Sequence, residues 1–190
     1  EENKFSIILG NPPYFKLDSK ALKDIDGYDT IIYGQPNIYS LFMHWGISHL
    51  CTDGTMSFIV PQSIRSGLYF KNLREEMKGL RIKSILHIDS RQNIFDRAEQ
   101  AVLIICLQNK PVSHTKTRIQ FINGNQNVLS EFSISRSKLM MDKDNNYMFI
   151  INKKSEMYDV LEKVYNNGTT LSANDSLVKF SNGLFVWNQH

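Results

Sequence analysis

Apolar residues in this chain cluster in short runs bounded by turn formers, and the runs alternate with stretches of helical period. Residues 5–9 form a short apolar run ended by Gly10 and stopped by Pro12-Pro13, which predicts a buried strand. Residues 16–36 are polar and turn-rich, with Asp26-Gly27 and Gly34-Gln35-Pro36, and read as a long loop. Ile38, Leu41, Phe42 and Trp45 then fall at i, i+3, i+4 and i+7, one apolar face of a helix. Asp53-Gly54 predicts a turn into a second buried strand over 56–60, ended by Pro61. Tyr69, Leu73, Met77 and Leu80 trace a second helix face. Residues 82–88 and 101–107 read as third and fourth strands, and 118–122 as a fifth. This alternation predicts an α/β fold with a mainly parallel sheet covered by helices.

Beyond residue 123 the pattern weakens. Residues 123–128 and 142–146 are polar connections. Ser155 is a candidate N-cap for a helix whose Met157, Val160, Leu161 and Val164 share a face, ended by Asn167-Gly168. Residues 180–187 have strand character without a sequence neighbour to pair with. The chain also begins almost directly on a core strand, without an initiator methionine, so both ends read as cut from a larger protein.

Composition narrows the class. Of 190 residues, 42% are hydrophobic and 22% charged, which fits a folded domain and excludes a disordered chain. The longest apolar run, 101–107, is far short of the roughly 18 residues of a membrane span, and the polar start lacks a secretory h-region. A cytoplasmic protein with no membrane partner is expected. Cys51 and Cys106 lie far apart, outside any C-x-x-C spacing, and His44 and His49 do not share a helix face, so no metal site is expected. No two glycines are close neighbours, which excludes a G-x-G-x-x-G or Walker loop. Glu76-Met77-Lys78 imitates the E-x-K element of nucleases but lacks an upstream acidic partner. Charge is uneven: residues 1–62 carry four basic against seven acidic side chains, 63–118 carry eleven against five, and 119–190 seven against seven. The basic middle third can track a phosphate backbone, and a solvated helix face explains it equally well.

The chemistry concentrates at Asn11-Pro12-Pro13-Tyr14. These residues follow directly on a strand, at the carboxyl end where open α/β sheets place their ligands. A residue before proline is pushed into an extended conformation, so Asn11 and Pro12 are both held stiffly. Proline has no N–H, which leaves the Asn11 carboxamide few local donors to fold back on. The result is a rigid turn offering neutral oxygen acceptors beside the flat ring of Tyr14. An amino group on a planar ring fits that arrangement. A plain strand-to-loop turn with a satisfied asparagine is the alternative.

The run Phe5-Ser6-Ile7-Ile8-Leu9-Gly10-Asn11-Pro12-Pro13-Tyr14 resembles the catalytic motif of the adenine-specific (N6) DNA methyltransferases of type II and fused restriction–modification enzymes. The resemblance extends in order through Asn37-Ile38-Tyr39-Ser40-Leu41-Phe42, Gly54 to Ser63, Ile85 to Asp89, Asn93-Ile94-Phe95 and the run 101–107. Ser6 departs from it, standing where the family commonly has an acidic residue. The resemblance implies the catalytic half of a Rossmann-like methyltransferase sheet over 1–123, a connecting region with a helix over 124–171, and the start of a C-terminal target-recognition domain over 172–190. It implies S-adenosylmethionine as methyl donor, with the cofactor-binding residues upstream of Glu1, and double-stranded DNA as partner. A restriction nuclease domain or subunit is a candidate second partner.

By the same resemblance, Asn11 and Pro12 accept the two protons of an adenine amine swung out of the duplex, with Pro13 stiffening the turn. Tyr14 stacks on the base and Phe95 packs against another side. Phe95 read simply as core is the alternative, and Tyr39 is expected to pack with its hydroxyl at the rim. A chain lacking the cofactor half is expected to be inactive. Two other functions fit the same four residues: methylation of an RNA base or protein glutamine, and a non-catalytic DNA-binding module. The long loop 16–34 and the basic middle third favour duplex DNA.

Overall fold

The computed structural model describes residues 4–18, 27–35, 37–88, 101–112 and 115–168. Its centre is a six-stranded sheet of order β1-β2-β4-β3-β5-β6. The strands are β1 (Phe5–Gly10), β2 (Leu50–Pro61), β3 (Arg81–Ile88), β4 (Val102–Gln108), β5 (Lys116–Ile122) and β6 (Val128–Ser135). β1 runs parallel to β2 and β3 parallel to β5, whereas β4 is antiparallel to both β2 and β3, and β6 to β5. The sheet is therefore mixed rather than mainly parallel. β6 follows β5 through a short Asn-rich turn, which produces an antiparallel neighbour, and β4 lies antiparallel between β2 and β3. β6 lies in the stretch read as a connection, because it exposes half of its side chains and carries no apolar run.

α1 (Ile38–Ser48) and α2 (Lys71–Lys78) pack on one face of the sheet, against the alternating Met56, Phe58 and Val60 of β2 and Leu103, Ile105 and Leu107 of β4. α1 buries only part of the stripe its sequence pattern suggests: Leu41 is buried and Ile38 packs against the core. Tyr39, Met43 and Gly46 face the sheet, while Phe42 and Trp45 are 45% and 40% exposed. Gly46 favours the choice: a Cβ there would lie 2.4 Å from the Met56 sulfur, so a larger residue would have to displace that side chain for the helix to come this close. α2 seats Leu73, Arg74 and Met77, and its Glu76 accepts from His44 Nδ1 at 3.0 Å, tying α2 to α1. Burial holds the Glu76 carboxyl above its usual range, and the contact with His44 works against that rise. The nuclease-like Glu76-Met77-Lys78 triplet thus lies in a helix–helix contact.

Three further departures concern burial and register. Among the described residues β1 is an edge strand with β2 as its one neighbour, and Ile7 and Leu9 are 68% and 75% exposed rather than buried. Asp53-Gly54 lies inside β2: Asp53 adopts φ 59°, and the β1–β2 register jumps from Phe5 opposite Leu50 to Ile7 opposite Thr55. After the short α3 (Arg136–Leu139), α4 (Glu156–Asn167) forms where the pattern places it. It buries only Tyr158, and its apolar stripe of Val160, Leu161 and Val164 faces outward. The expected entry into a target-recognition domain, 172–190, lies outside the described residues. Among the described residues no helix is long and apolar enough to cross a membrane.

Candidate active site at the end of the first strand

β1 delivers its last residue, Gly10, against the ring of Phe58, where a Cβ would stand 2.5 Å from the nearest ring carbon. Glycine lets β1 close onto β2 at this point and fixes where the chain leaves the sheet. Asn11 comes next and is exposed, whereas Pro12 is buried and anchors the turn. Asn11, Pro12 and Pro13 line a cavity of about 580 Å³. Its far wall is the apolar stripe of α1, Ile38, Leu41, Phe42 and Trp45, which the sequence pattern assigns to the core. The volume suits a flat heterocycle, and among the described residues none that lines it carries a carboxylate, imidazole or thiol.

Tyr14 folds back over the turn. Its hydroxyl lies 3.0 Å from Asn11 Oδ1 and 3.0 Å from the Ile59 carbonyl, just beyond the last β1–β2 pair, Gly10 opposite Phe58. One hydrogen thus serves two acceptors, and the loop is tied to β2 at the same time. Burial raises the Tyr14 phenol above its ordinary value, so it remains a donor at neutral pH. The rest of the loop is closed by the Ile38 N–H donating to the Phe15 carbonyl at 2.9 Å, a bridge between Lys16 and Asn37, and the buried Leu17. Asn37 caps α1 through its side-chain oxygen, accepting from the Tyr39 N–H at 3.4 Å. The loop that carries Tyr14 and the helix that walls the cavity therefore start from one fixed point.

Behind Tyr14 stands an aromatic stack. The Tyr14 and Tyr39 rings meet edge to face with centroids 6.2 Å apart, and Tyr39 stacks on Phe70 at 4.9 Å. Tyr39 is fully buried, so its hydroxyl is not at the rim; it meets Ser63 Oγ at 3.3 Å, and burial raises its pKa far above the ordinary phenol. Arg74, also fully buried, holds the segment after β2: Nη1 donates to the carbonyls of Ile64 and Gly67 at 3.0 and 2.9 Å, and Nε to that of Asn146 at 2.9 Å. Burial lowers its pKa to about 10, which leaves it cationic at neutral pH.

The structure thus brings Asn11, Pro12, Pro13 and Tyr14 together at the carboxyl end of β1, while Phe95 lies outside the described residues. Ser63 and Arg74 support the site and were not singled out from sequence. Arg74 could have been, since it shares a helix face with Phe70, Leu73 and Met77, and a charge on an apolar face signals a buried role. What the turn offers chemically is a pair of neutral acceptor oxygens beside an aromatic ring, suited to orienting an uncharged amine.

Comparison with known proteins bears on the family and the fold. The chain is 31% identical to the type II methyltransferase M.AccI of Acinetobacter calcoaceticus over 128 residues, 64% of this chain and 23% of that protein. It is 30% identical to the modification methylase CviBIII of Paramecium bursaria Chlorella virus NC1A over 109 residues, 57% of this chain and 27% of that one. Among solved structures, a modification subunit of a putative type I restriction enzyme from Vibrio vulnificus YJ016 superposes with a TM-score of 0.59 at 11% identity, covering 85% of this chain and 40% of that one. The type IIG restriction endonuclease BpuSI gives the same TM-score at 15% identity, covering 85% of this chain and 22% of that one. These two likenesses show a shared fold. The chain spans about a quarter of the length of these two relatives. The sequence profile of the Eco57I restriction-modification methylases matches residues 1–95, half of the chain, and the protein belongs to that methyltransferase family.

Proposed function

We propose that the site methylates the exocyclic N6 amine of an adenine swung out of duplex DNA, as part of a restriction–modification system. The observation that carries this reading is an exposed, proline-backed Asn11 on the wall of a cavity of about 580 Å³, with the Tyr14 hydroxyl 3.0 Å from its side-chain oxygen. Inside a base stack the amine cannot be reached, so the base leaves the duplex. Asn11 Oδ1 and the Pro12 main-chain oxygen accept the two amine protons, which favours a more tetrahedral nitrogen with its lone pair free to attack. Turning the Asn11 carboxamide over frees that oxygen. Nδ2 then donates to the Tyr14 phenol oxygen, whose hydrogen goes wholly to the Ile59 carbonyl.

The Tyr14 ring, backed by Tyr39, stacks on the base, and stacking of this kind is worth about 1–3 kcal/mol, enough to offset much of the cost of unstacking. Positive charge develops on the nitrogen as it attacks, the two oxygens stabilise it, and one amine proton then leaves to solvent. A donor whose methyl is already activated suits a site without a titrating carboxylate, and S-adenosylmethionine supplies such a methyl when bound. The residues that bind this donor belong, in this reading, to a cofactor half pairing along the exposed edge of β1 at Ile7 and Leu9.

The test joins the chain to a cofactor-binding half and offers labelled S-adenosylmethionine with duplex DNA, RNA or protein. Label is expected in adenine of duplex DNA and is lost with Asn11→Ala, which leaves DNA affinity intact. Label in RNA or protein instead, or turnover retained by Asn11→Ala, overturns the assignment.

A further inference from the structure

A second, polar cavity of about 570 Å³ opens on the same rim of the sheet, lined by Gln62, Ser63, Arg65 and Ser66. β1 and β2 are parallel, so the segment after β2 stands at the same end of the sheet as Asn11-Tyr14. The link is direct: Ser63 Oγ meets the Tyr39 hydroxyl, and the Tyr39 ring meets that of Tyr14. The guanidinium of Arg65 is half buried and fixed. Its Nη2 donates to the Ile151 carbonyl at 2.9 Å, and its own carbonyl accepts from the Phe149 N–H at 2.8 Å. Among the described residues no carboxylate forms an ion pair with it. A held cation without a counter-charge, beside two exposed hydroxyls and a carboxamide, is a receptor for an anion with several acceptor oxygens.

We propose that Arg65, with Ser63, Ser66 and Gln62, grips a phosphodiester of the DNA strand that carries the extruded base. The inference rests on the DNA reading above and adds a named backbone contact to it. A phosphate held beside the site fixes the register of the strand without reading its sequence. Arg65 supplies the charge and the fork of donors, and the serines and Gln62 supply neutral hydrogen bonds to the remaining oxygens.

The experiment measures duplex affinity of the full polypeptide by fluorescence anisotropy across a salt series, for cognate and unrelated duplexes. Arg65→Gln is expected to bind both duplexes about fivefold to tenfold more weakly, with a log–log salt slope shallower by about 0.9, one phosphate fewer. Arg65→Lys, which keeps the charge, is expected to keep the wild-type slope. Ser66→Asp, at an exposed position that does not depend on Arg65 for folding, puts a negative charge into the cavity and is expected to cost at least as much affinity as Arg65→Gln. A wild-type slope in Arg65→Gln together with undiminished affinity in Ser66→Asp overturns the proposal, as does a flattened slope in Arg65→Lys. So does protection of Arg65 by inorganic phosphate alone with no change in the DNA slope. If the wild-type polypeptide prefers RNA over duplex DNA, it is the DNA reading itself that fails, while a methylating wild type with an unaltered Arg65→Gln slope removes only this contact.

Discussion

Replacing Tyr14 by phenylalanine removes one hydroxyl and keeps the ring, which separates two roles that the structure superimposes on one residue. The hydroxyl spans Asn11 Oδ1 and the Ile59 carbonyl at 3.0 Å each, and the residue is 41% exposed. A hydrogen bond of this kind contributes about 0.5–1.5 kcal/mol net, so Tyr14→Phe is expected to cost about 1 kcal/mol of stability. The edge contact with Tyr39 and any stacking surface remain. Turnover is therefore expected to fall less than about tenfold, a loss that corresponds to under about 1.4 kcal/mol of barrier. Tyr14→Ala also removes the ring and with it about 1–3 kcal/mol of stacking, roughly fivefold to 150-fold in rate. Asn11→Ala removes an acceptor at the nitrogen itself, and loss of one such preorganised group typically costs about a hundredfold to a thousandfold. The assay is labelled methyl incorporation into a duplex, run beside the fluorescence of a 2-aminopurine placed at the target position. Tyr14→Ala is expected to lower both signals and Asn11→Ala only the first. Tyr14→Phe as damaging as Asn11→Ala would make the hydroxyl a reacting group, and Tyr14→Ala at full rate would remove the stacking role.

Other expectations follow from single contacts. Gly10→Ala drives a methyl to 2.5 Å from the Phe58 ring and is expected to cost about 1–3 kcal/mol, read as a lower urea midpoint; an unchanged midpoint means β1 moves freely away from β2. Arg74→Met strips the donors from the carbonyls of Ile64, Gly67 and Asn146, and a loss of about 3 kcal/mol is expected in the same assay. Burial raises the Glu76 carboxyl above its ordinary 4.5, so the folded chain holds this proton more tightly than the unfolded chain does. The stability it contributes is full below that value and is lost as pH rises through the folded pKa; Glu76→Gln is expected to flatten this slope, and equal slopes of urea midpoint against pH in both proteins refute it. The purified 190-residue chain is expected to transfer no methyl to DNA, and label incorporated by it alone would show that no cofactor half is needed.

Strand positions were legible because each core strand carries its own apolar run: β3 and β4 fall within a residue of where the pattern of Ile82–Ile88 and Ala101–Leu107 places them. Pairing was not legible, because strand direction depends on how the connections run rather than on the residues within the run. The apolar content of β1 also misled. A run such as Ile7-Ile8-Leu9 signals a strand made to be covered, yet among the described residues β1 has a single neighbour and exposes Ile7 and Leu9. In α1 two apolar stripes compete, Ile38/Leu41/Phe42/Trp45 and Tyr39/Met43/Gly46. Periodicity favours the first because it is the more hydrophobic. Packing selects the second, since the small Gly46 admits the Met56 side chain and brings helix and sheet into contact.

That choice is also what makes the cavity. Phe42 and Trp45, left exposed by that choice, join Ile38 and the buried Leu41 in the wall facing Asn11, so residues that look like packing are left to meet a flat ligand. The turn itself was readable from four letters, because proline stiffness is local and acts on its immediate neighbours. What supports the turn was not, because every prop comes from far along the chain: Ile59 from β2, Tyr39 from α1, and Ser63 from the segment that Arg74 holds. A local motif supplies the acceptors and a long-range network fixes where they point. The first can be inferred from one stretch of sequence, whereas the second exists only once the sheet has formed.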